Sequence, residues 1–199
     1  MDKKRCTHVI ALTGGIGSGK SVVSRILNIM GYQVYECDSR AKSLMDSDPQ
    51  IRESIVDLFG AGFVENGMIN RKRLSDLVFS DTAALNALNN LVHGCVRDDF
   101  QTWINSSQES RLLFVETAIL YQSGFDRLVD EVWTVVAPER VRIERVMNRN
   151  SLTASQVKAR IESQENFIVN NPHHNVAEII NDEVIPVLPQ VERLLEKYL

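Results

Sequence analysis

The sequence predicts an α/β fold built on a five-stranded parallel sheet, and three observations carry that prediction. An apolar run over residues 8–13 has the pattern of a strand buried on both faces. It runs directly into TGGIGSGKS, in which Gly14 to Ser21 fit the pattern G-x-x-x-x-G-K-[ST]. Val23, Ile26, Leu27 and Met30 then recur at helical spacing, and residues 33–38 read as a second strand. Strand, glycine loop, helix and strand make one βαβ unit, so the strands run parallel.

The remaining elements follow in order. Gly31 ends the first helix. Residues 39–103 are helical with breaks at Asp48-Pro49, at Phe59 to Gly62 and at Glu65-Asn66-Gly67, the last a turn. So long a helical excursion exceeds what a crossover needs and reads as a substrate-covering insertion. Residues 111–116 and 132–137 are the third and fourth strands. An arginine-rich helix covers 139–150 and a second helix 154–167, entered at Ser151-Leu152-Thr153. Residues 170–175 are a loop, 178–181 a short last strand and 189–198 a closing helix. The expected division of this single unit is a nucleotide-binding core (1–40, 110–140 and 176–199), a helical insertion (41–109) and a lid region (141–175).

The chain has 199 residues, 44% hydrophobic and 24% charged, enough for one sizeable core. A net charge of −4 argues against a general nucleic-acid or anionic-membrane binder. No apolar run reaches the roughly 18 residues of a membrane span. The three cysteines, Cys6, Cys37 and Cys95, lack metal-type spacing and read as reduced thiols of a cytoplasmic protein. The sequence is silent on oligomeric state.

The glycine loop carries the first piece of chemistry. Its backbone N–H groups, Gly15, Gly17, Ser18 and Gly19 among them, surround phosphate oxygens, and the next helix aims its positive end at the same place. Lys20 adds a charge to the β- and γ-phosphates, Ser21 a hydroxyl for Mg²⁺, and Val22 continues the first turn. ATP with Mg²⁺ is the implied ligand. Asp38 ends the second strand, where a carboxylate can accept a proton from an attacking hydroxyl; it can equally cap the next helix. Glu116 ends the third strand, either near the metal or facing solvent. Arg142, Arg145 and Arg149 share one helix face, suited to phosphate oxygens or simply solvated. His93 lies on an apolar helical stretch, and His173-His174 lack a metal-binding frame.

Neither N-K-x-D nor T-K-x-D occurs, which excludes a guanine-reading switch. The run Asp57 to Gly60 fits D-x-x-G but falls in the helical insertion. L-S-G-G-Q is absent too. A short phosphate-loop (P-loop) chain with a helical insertion and an arginine lid reads as a small-molecule kinase of three-layer α/β/α architecture.

Over nearly its whole length the chain resembles dephospho-CoA kinases. The residues that carry the resemblance are TGGIGSGKS, then Gly31, Val34, Asp38 and Ala41, the segment GMINRKRLSDLVF, RIERVMNR and SLTASQVKARIESQ. That family uses ATP to phosphorylate the ribose 3′-hydroxyl of dephospho-CoA, the last step of CoA synthesis. The resemblance implies Asp38 as catalytic base, assisted by Lys20 and Arg149. It implies Ala41, His93 and Glu116 beside the acceptor, Arg145 and Arg149 near the ATP phosphates, and Asn181 or Asp182 beside adenine. The chain departs from the family pattern in four places, one being the adenine-side I-x-N-x-G, which appears only as IINDEV. The family's H-P is His93-Gly94, which loses a rigid turn; its P-L-L-[FY]-E is AILYQ, ending in Gln122; and Arg142 stands where a glutamine is common. A kinase for another small hydroxyl acceptor, such as a nucleoside monophosphate, and a non-catalytic nucleotide-binding module are the alternatives.

Overall fold

The computed structural model describes residues 7–107, 109–150, 152–168 and 173–199. Cys6, Ser151 and residues 170–172 of the expected loop lie outside them. The chain divides into two compact units, one formed by Met1–Tyr35 and Gln108–Leu199, the other by Glu36–Ser107.

In the first unit, β1 (His8–Thr13) leads through the glycine loop into α1 (Lys20–Ile29), and β2 (Gln33–Glu36) follows. The second unit holds α2 (Cys37–Ser47), α3 (Pro49–Phe59), a hairpin of β3 (Val64–Glu65) and β4 (Met68–Ile69), α4 (Arg71–Ser80) and α5 (Thr82–Ser106). The chain then returns through β5 (Leu112–Glu116), β6 (Glu131–Val136), α6 (Glu139–Asn150), α7 (Ala154–Ile168), β7 (Val176–Ile180) and α8 (Val187–Leu195).

The main sheet has five strands in the order β2-β5-β1-β6-β7, and β1 pairs in parallel with both β5 and β6. This central place explains the near-continuous apolar pattern of β1, whose Ile10, Ala11 and Leu12 are fully buried. One face of the sheet presents Ile10, Leu12, Phe114, Trp133, Val135 and Ile179. They pack on Val23 and Leu27 of α1 and on Val191 and Leu195 of α8. The rings of Phe114 and Trp133 meet edge to face with centroids 5.3 Å apart.

The second unit has its own small core of Ile51, Ile55 and Leu74. Three of its four helices begin at side-chain caps: Asp48 accepts from Gln50 N, Asn70 from Arg73 N, and Asp81 from Ala83 N and Ala84 N. The D-x-x-G run closes α3, with Gly60 just past its end at a φ of +99°. The turn expected at Glu65-Asn66-Gly67 joins β3 to β4.

One sequence expectation needs correction. Asp38 does not end a strand: β2 stops at Glu36, and Asp38 is the second residue of α2. Nor does it cap that helix, since the capping position is Glu36, which makes no side-chain cap bond. Apolar content in Val34-Tyr35 and Cys37 reads the same in a strand as in a buried first helical turn. The loss of the rigid turn read at His93-Gly94 is matched by the structure, since both lie inside α5, which runs unbroken for 25 residues. One glycine in a helix costs only about 1 kcal/mol, too little to break so long an element.

Candidate active site

The site begins where β1 ends. Its glycine loop owes its path to steric demands on the backbone. Gly19 has φ +98°, in the left-handed region, and a Cβ there would run into the side-chain nitrogen of Asn181. At Gly15 the Arg142 guanidinium lies where a side chain would stand, its Cζ 2.8 Å from the Cβ position. Lys20 is the first residue of α1, and its Nζ donates to the carbonyl of Gly14 at 2.8 Å. Ser21 and Val22 complete the exposed first turn.

Three surrounding elements hold this loop. From α6, Arg142 Nε donates to Ile16 O at 3.0 Å, and Arg145 Nη1 to Gly17 O and Ser18 O at 3.4 Å each. From α7, Gln164 Oε1 accepts from Ile16 N at 2.7 Å. Just past β7, the buried Asn181 donates from Nδ2 to Ser18 O at 2.8 Å and accepts at Oδ1 from Arg145 Nη2 at 3.3 Å. Arg145 also pairs with Glu183 at 3.3 Å. Asp182 turns toward its own loop, accepting from Val184 N and Ile185 N at 3.0 and 2.8 Å. Those backbone donors hold its carboxyl below the usual carboxylate range.

The α6–α7 pair is itself built for this task. Thr153 and Gln156 form a reciprocal capping box at the start of α7, the Thr153 N–H donating to Gln156 Oε1 at 2.9 Å. Val146, Val157 and Ile161 form the seam between the helices, with Ile16 of the loop packed against it.

Beside the loop opens a cavity of about 200 Å³. Thr13, Gly14, Ala118, Tyr121, Gln122 and Gln164 are among the residues lining it. Glu116 is not; half-buried at the end of β5, it pairs in register with Leu12. Thr117 N extends that pairing by donating to Leu12 O at 3.1 Å.

The structure thus brings Gly15, Gly17, Ser18, Gly19, Lys20, Arg145 and Asn181 into one assembly. Arg149 lies apart from it, exposed, with Nε bonded to Asn150 Oδ1 at 2.8 Å. Arg142 and Gln164, which sequence reasoning did not rank among the site residues, touch the loop directly. The signal for Arg142 was present in its three-residue spacing from Arg145. In the second unit Asp38 is exposed in the first turn of α2, Ala41 lies half-buried one turn on, and His93 is half-buried in α5. Burial, and then the charge of Arg97 one turn along, lower the His93 pKa.

Among the described residues no group of three or more His, Cys, Asp or Glu is placed to hold a metal ion. A Ser21 hydroxyl at the loop suits a hard cation that arrives with phosphate and keeps its waters, as Mg²⁺ does. Among the described residues, too, no helix is long and apolar enough to cross a membrane.

A parallel sheet whose central strand feeds a glycine loop, with two arginines of α6 and a glutamine of α7 bonded to that loop, defines a P-loop kinase fold. A family model described as dephospho-CoA kinase matches residues 8–183. A dephospho-CoA kinase of Porphyromonas gingivalis is 43% identical over 190 residues, covering 94% of this chain and 92% of the relative. A crystal structure from Thermus thermophilus superposes with a TM-score of 0.74 at 30% identity, covering 96% of both chains. The dephospho-CoA kinase of Campylobacter jejuni shares the fold, with a TM-score of 0.65 at 22% identity and 96% coverage of both chains. The chain belongs to the dephospho-CoA kinase family.

Proposed function

We propose that the protein transfers the γ-phosphoryl group of ATP to the ribose 3′-hydroxyl of dephospho-CoA, giving CoA and ADP. Family membership supports the acceptor. The observation that carries the chemistry is the loop from Gly14 to Ser21, whose path is fixed by Arg142, Arg145, Gln164 and Asn181. Phosphoryl transfer asks little covalent chemistry of a protein and much positioning and charge stabilisation, which a held array of N–H donors provides.

In this reading Lys20 exchanges its bond to Gly14 O for the β- and γ-phosphates. Arg145, and Arg149 from the exposed end of α6, balance charge on the transferring group. Asp38 accepts the 3′-hydroxyl proton as the new O–P bond forms and the bond to the bridging oxygen of ADP breaks. Ala41, His93 and Glu116 serve the acceptor. Ser21 would hold Mg²⁺, which when bound neutralises charge between the β- and γ-phosphates. Asn181 acts through the loop, and the backbone after it, residues 182–185, offers the adenine side. Cys37 and Cys95 are not in disulfides, which supports a cytoplasmic setting.

The test is acceptor-dependent ADP release with dephospho-CoA offered beside nucleoside monophosphates and sugars. Release stimulated by dephospho-CoA alone is expected. Stimulation by another acceptor, or by none, would overturn the reading.

A further inference from the structure

Ile16 is gripped by the α6–α7 pair at both its backbone polar groups and at its side chain. Its N–H donates to Gln164 Oε1 at 2.7 Å, and its carbonyl accepts from Arg142 Nε at 3.0 Å. Its side chain packs beside Ile143 and Leu152 against the seam of Val146, Val157 and Ile161. The two polar groups belong to consecutive peptide planes, and all peptides here are trans.

A trans peptide points its N–H and C=O in opposite directions. Holding Ile16 N–H toward α7 therefore turns the Gly15 carbonyl the other way. There it accepts from Ser18 N at 3.1 Å and from Lys20 Nζ at 3.5 Å. Holding the Ile16 carbonyl toward Arg142 turns Gly17 N–H away from α6. Gly17 N–H and Lys20 Nζ are two of the donors the phosphate loop directs at a triphosphate.

We propose that Gln164 is a positioning residue for phosphoryl transfer. From α7 it fixes the Gly15–Ile16 peptide and, through it, the setting of Lys20. Arg142 fixes the next peptide in the same way, so the helix pair and the phosphate loop move as one body. The proposal rests on the reading that this loop carries ATP. Apolar packing of Ile16 alone would make the Gln164 oxygen irrelevant, and that difference is measurable.

The experiment compares Gln164→Met, which keeps side-chain length but removes the acceptor, with Gln164→Glu, which keeps an acceptor oxygen. Steady-state kinetics with ATP and dephospho-CoA are read beside thermal melts. Gln164→Met is expected to lower kcat/KM for ATP by about ten- to a hundredfold, the effect of leaving one donor unmatched. The KM for dephospho-CoA stays close to wild type, and Gln164→Glu recovers most of the loss. Should Gln164→Met fail to fold, Gln164→Leu is read by the same criteria. An unaffected Gln164→Met, or a Gln164→Glu as impaired as Gln164→Met, overturns the proposal. Absence of transfer by the wild-type chain would instead overturn the reading beneath it.

Discussion

Asn181 Nδ2 donates to the carbonyl of Ser18 at 2.8 Å, tying the segment after the last strand to the middle of the phosphate loop. The same amide receives Arg145 on its oxygen, so one buried side chain organises two parts of the site. Replacing it removes the shorter of two bonds to Ser18 O and one of the acceptors of Arg145, at about 1–3 kcal/mol. Asn181→Leu is therefore expected to weaken ATP binding roughly tenfold or more, measured by calorimetry, with secondary structure intact. Gly19→Ala, which drives a methyl into Asn181 at a left-handed φ, should weaken ATP binding at least as much.

Asp38 stands in the first turn of α2, exposed to solvent, and the proposed reaction uses it as proton acceptor. Asp38→Asn keeps its shape and removes its basicity. Turnover should fall by about 10²-fold or more, in the range for loss of a general base, while ATP binding persists. Near-normal turnover would remove Asp38 from that role.

Glu131 is a charged group placed away from the phosphate loop, at the start of β6 and only 1% exposed. It accepts from Trp133 Nε1 at 2.7 Å, from Lys197 Nζ at 2.6 and 2.7 Å and from the Tyr198 hydroxyl. Burial alone would raise its pKa, but the bonds from Lys197, Tyr198 and Trp133 outweigh burial and bring it below the ordinary value of 4.5. A carboxyl whose folded pKa is depressed stabilises the fold fully above its unfolded pKa. That contribution disappears as pH falls through the folded value. Melting curves should thus show a loss of stability below about pH 4.5 that Glu131→Gln flattens. At neutral pH, Lys197→Met should cost about 1–2 kcal/mol, a low figure because Lys197 is half-exposed, or roughly 2–8 °C in Tm.

Ser21 is the one hydroxyl the sequence motif assigns to a cation, and among the described residues no acidic cluster is present to replace it. Chelation of divalent ions should abolish turnover, and added Mg²⁺ should restore it. Ser21→Ala should demand about tenfold more Mg²⁺ for half-maximal activity, as expected for a lost ligand to a weakly held ion. Full activity in excess chelator would contradict this assignment.

The nucleotide end of the fold was legible because its signals are local. Buried strand, glycine loop and amphipathic helix adjoin in sequence, and the structure has β1, the loop and α1 where the pattern puts them. Asp38 was misplaced by one element because Gln33 to Cys37 alternates too weakly to mark where a strand gives way to a helix. His93-Gly94 lacks the proline of the family pattern, and without proline nothing interrupts the helical hydrogen bonds. The grip of Gln164 on Ile16 spans 148 positions and joins a backbone group to a side chain, a relation with no periodicity to read. Among the arginines, a shared helix face concealed unequal reach: Arg142 and Arg145 meet the loop, and Arg149 bonds to Asn150.

The most direct test of the central claim is the identity of the product formed from ATP and dephospho-CoA. Stoichiometric ADP is expected, with a product carrying its new phosphate on the ribose 3′-oxygen, resolved by phosphorus and proton NMR. ATP turnover that leaves dephospho-CoA unmodified, or phosphate on any other oxygen, would contradict it.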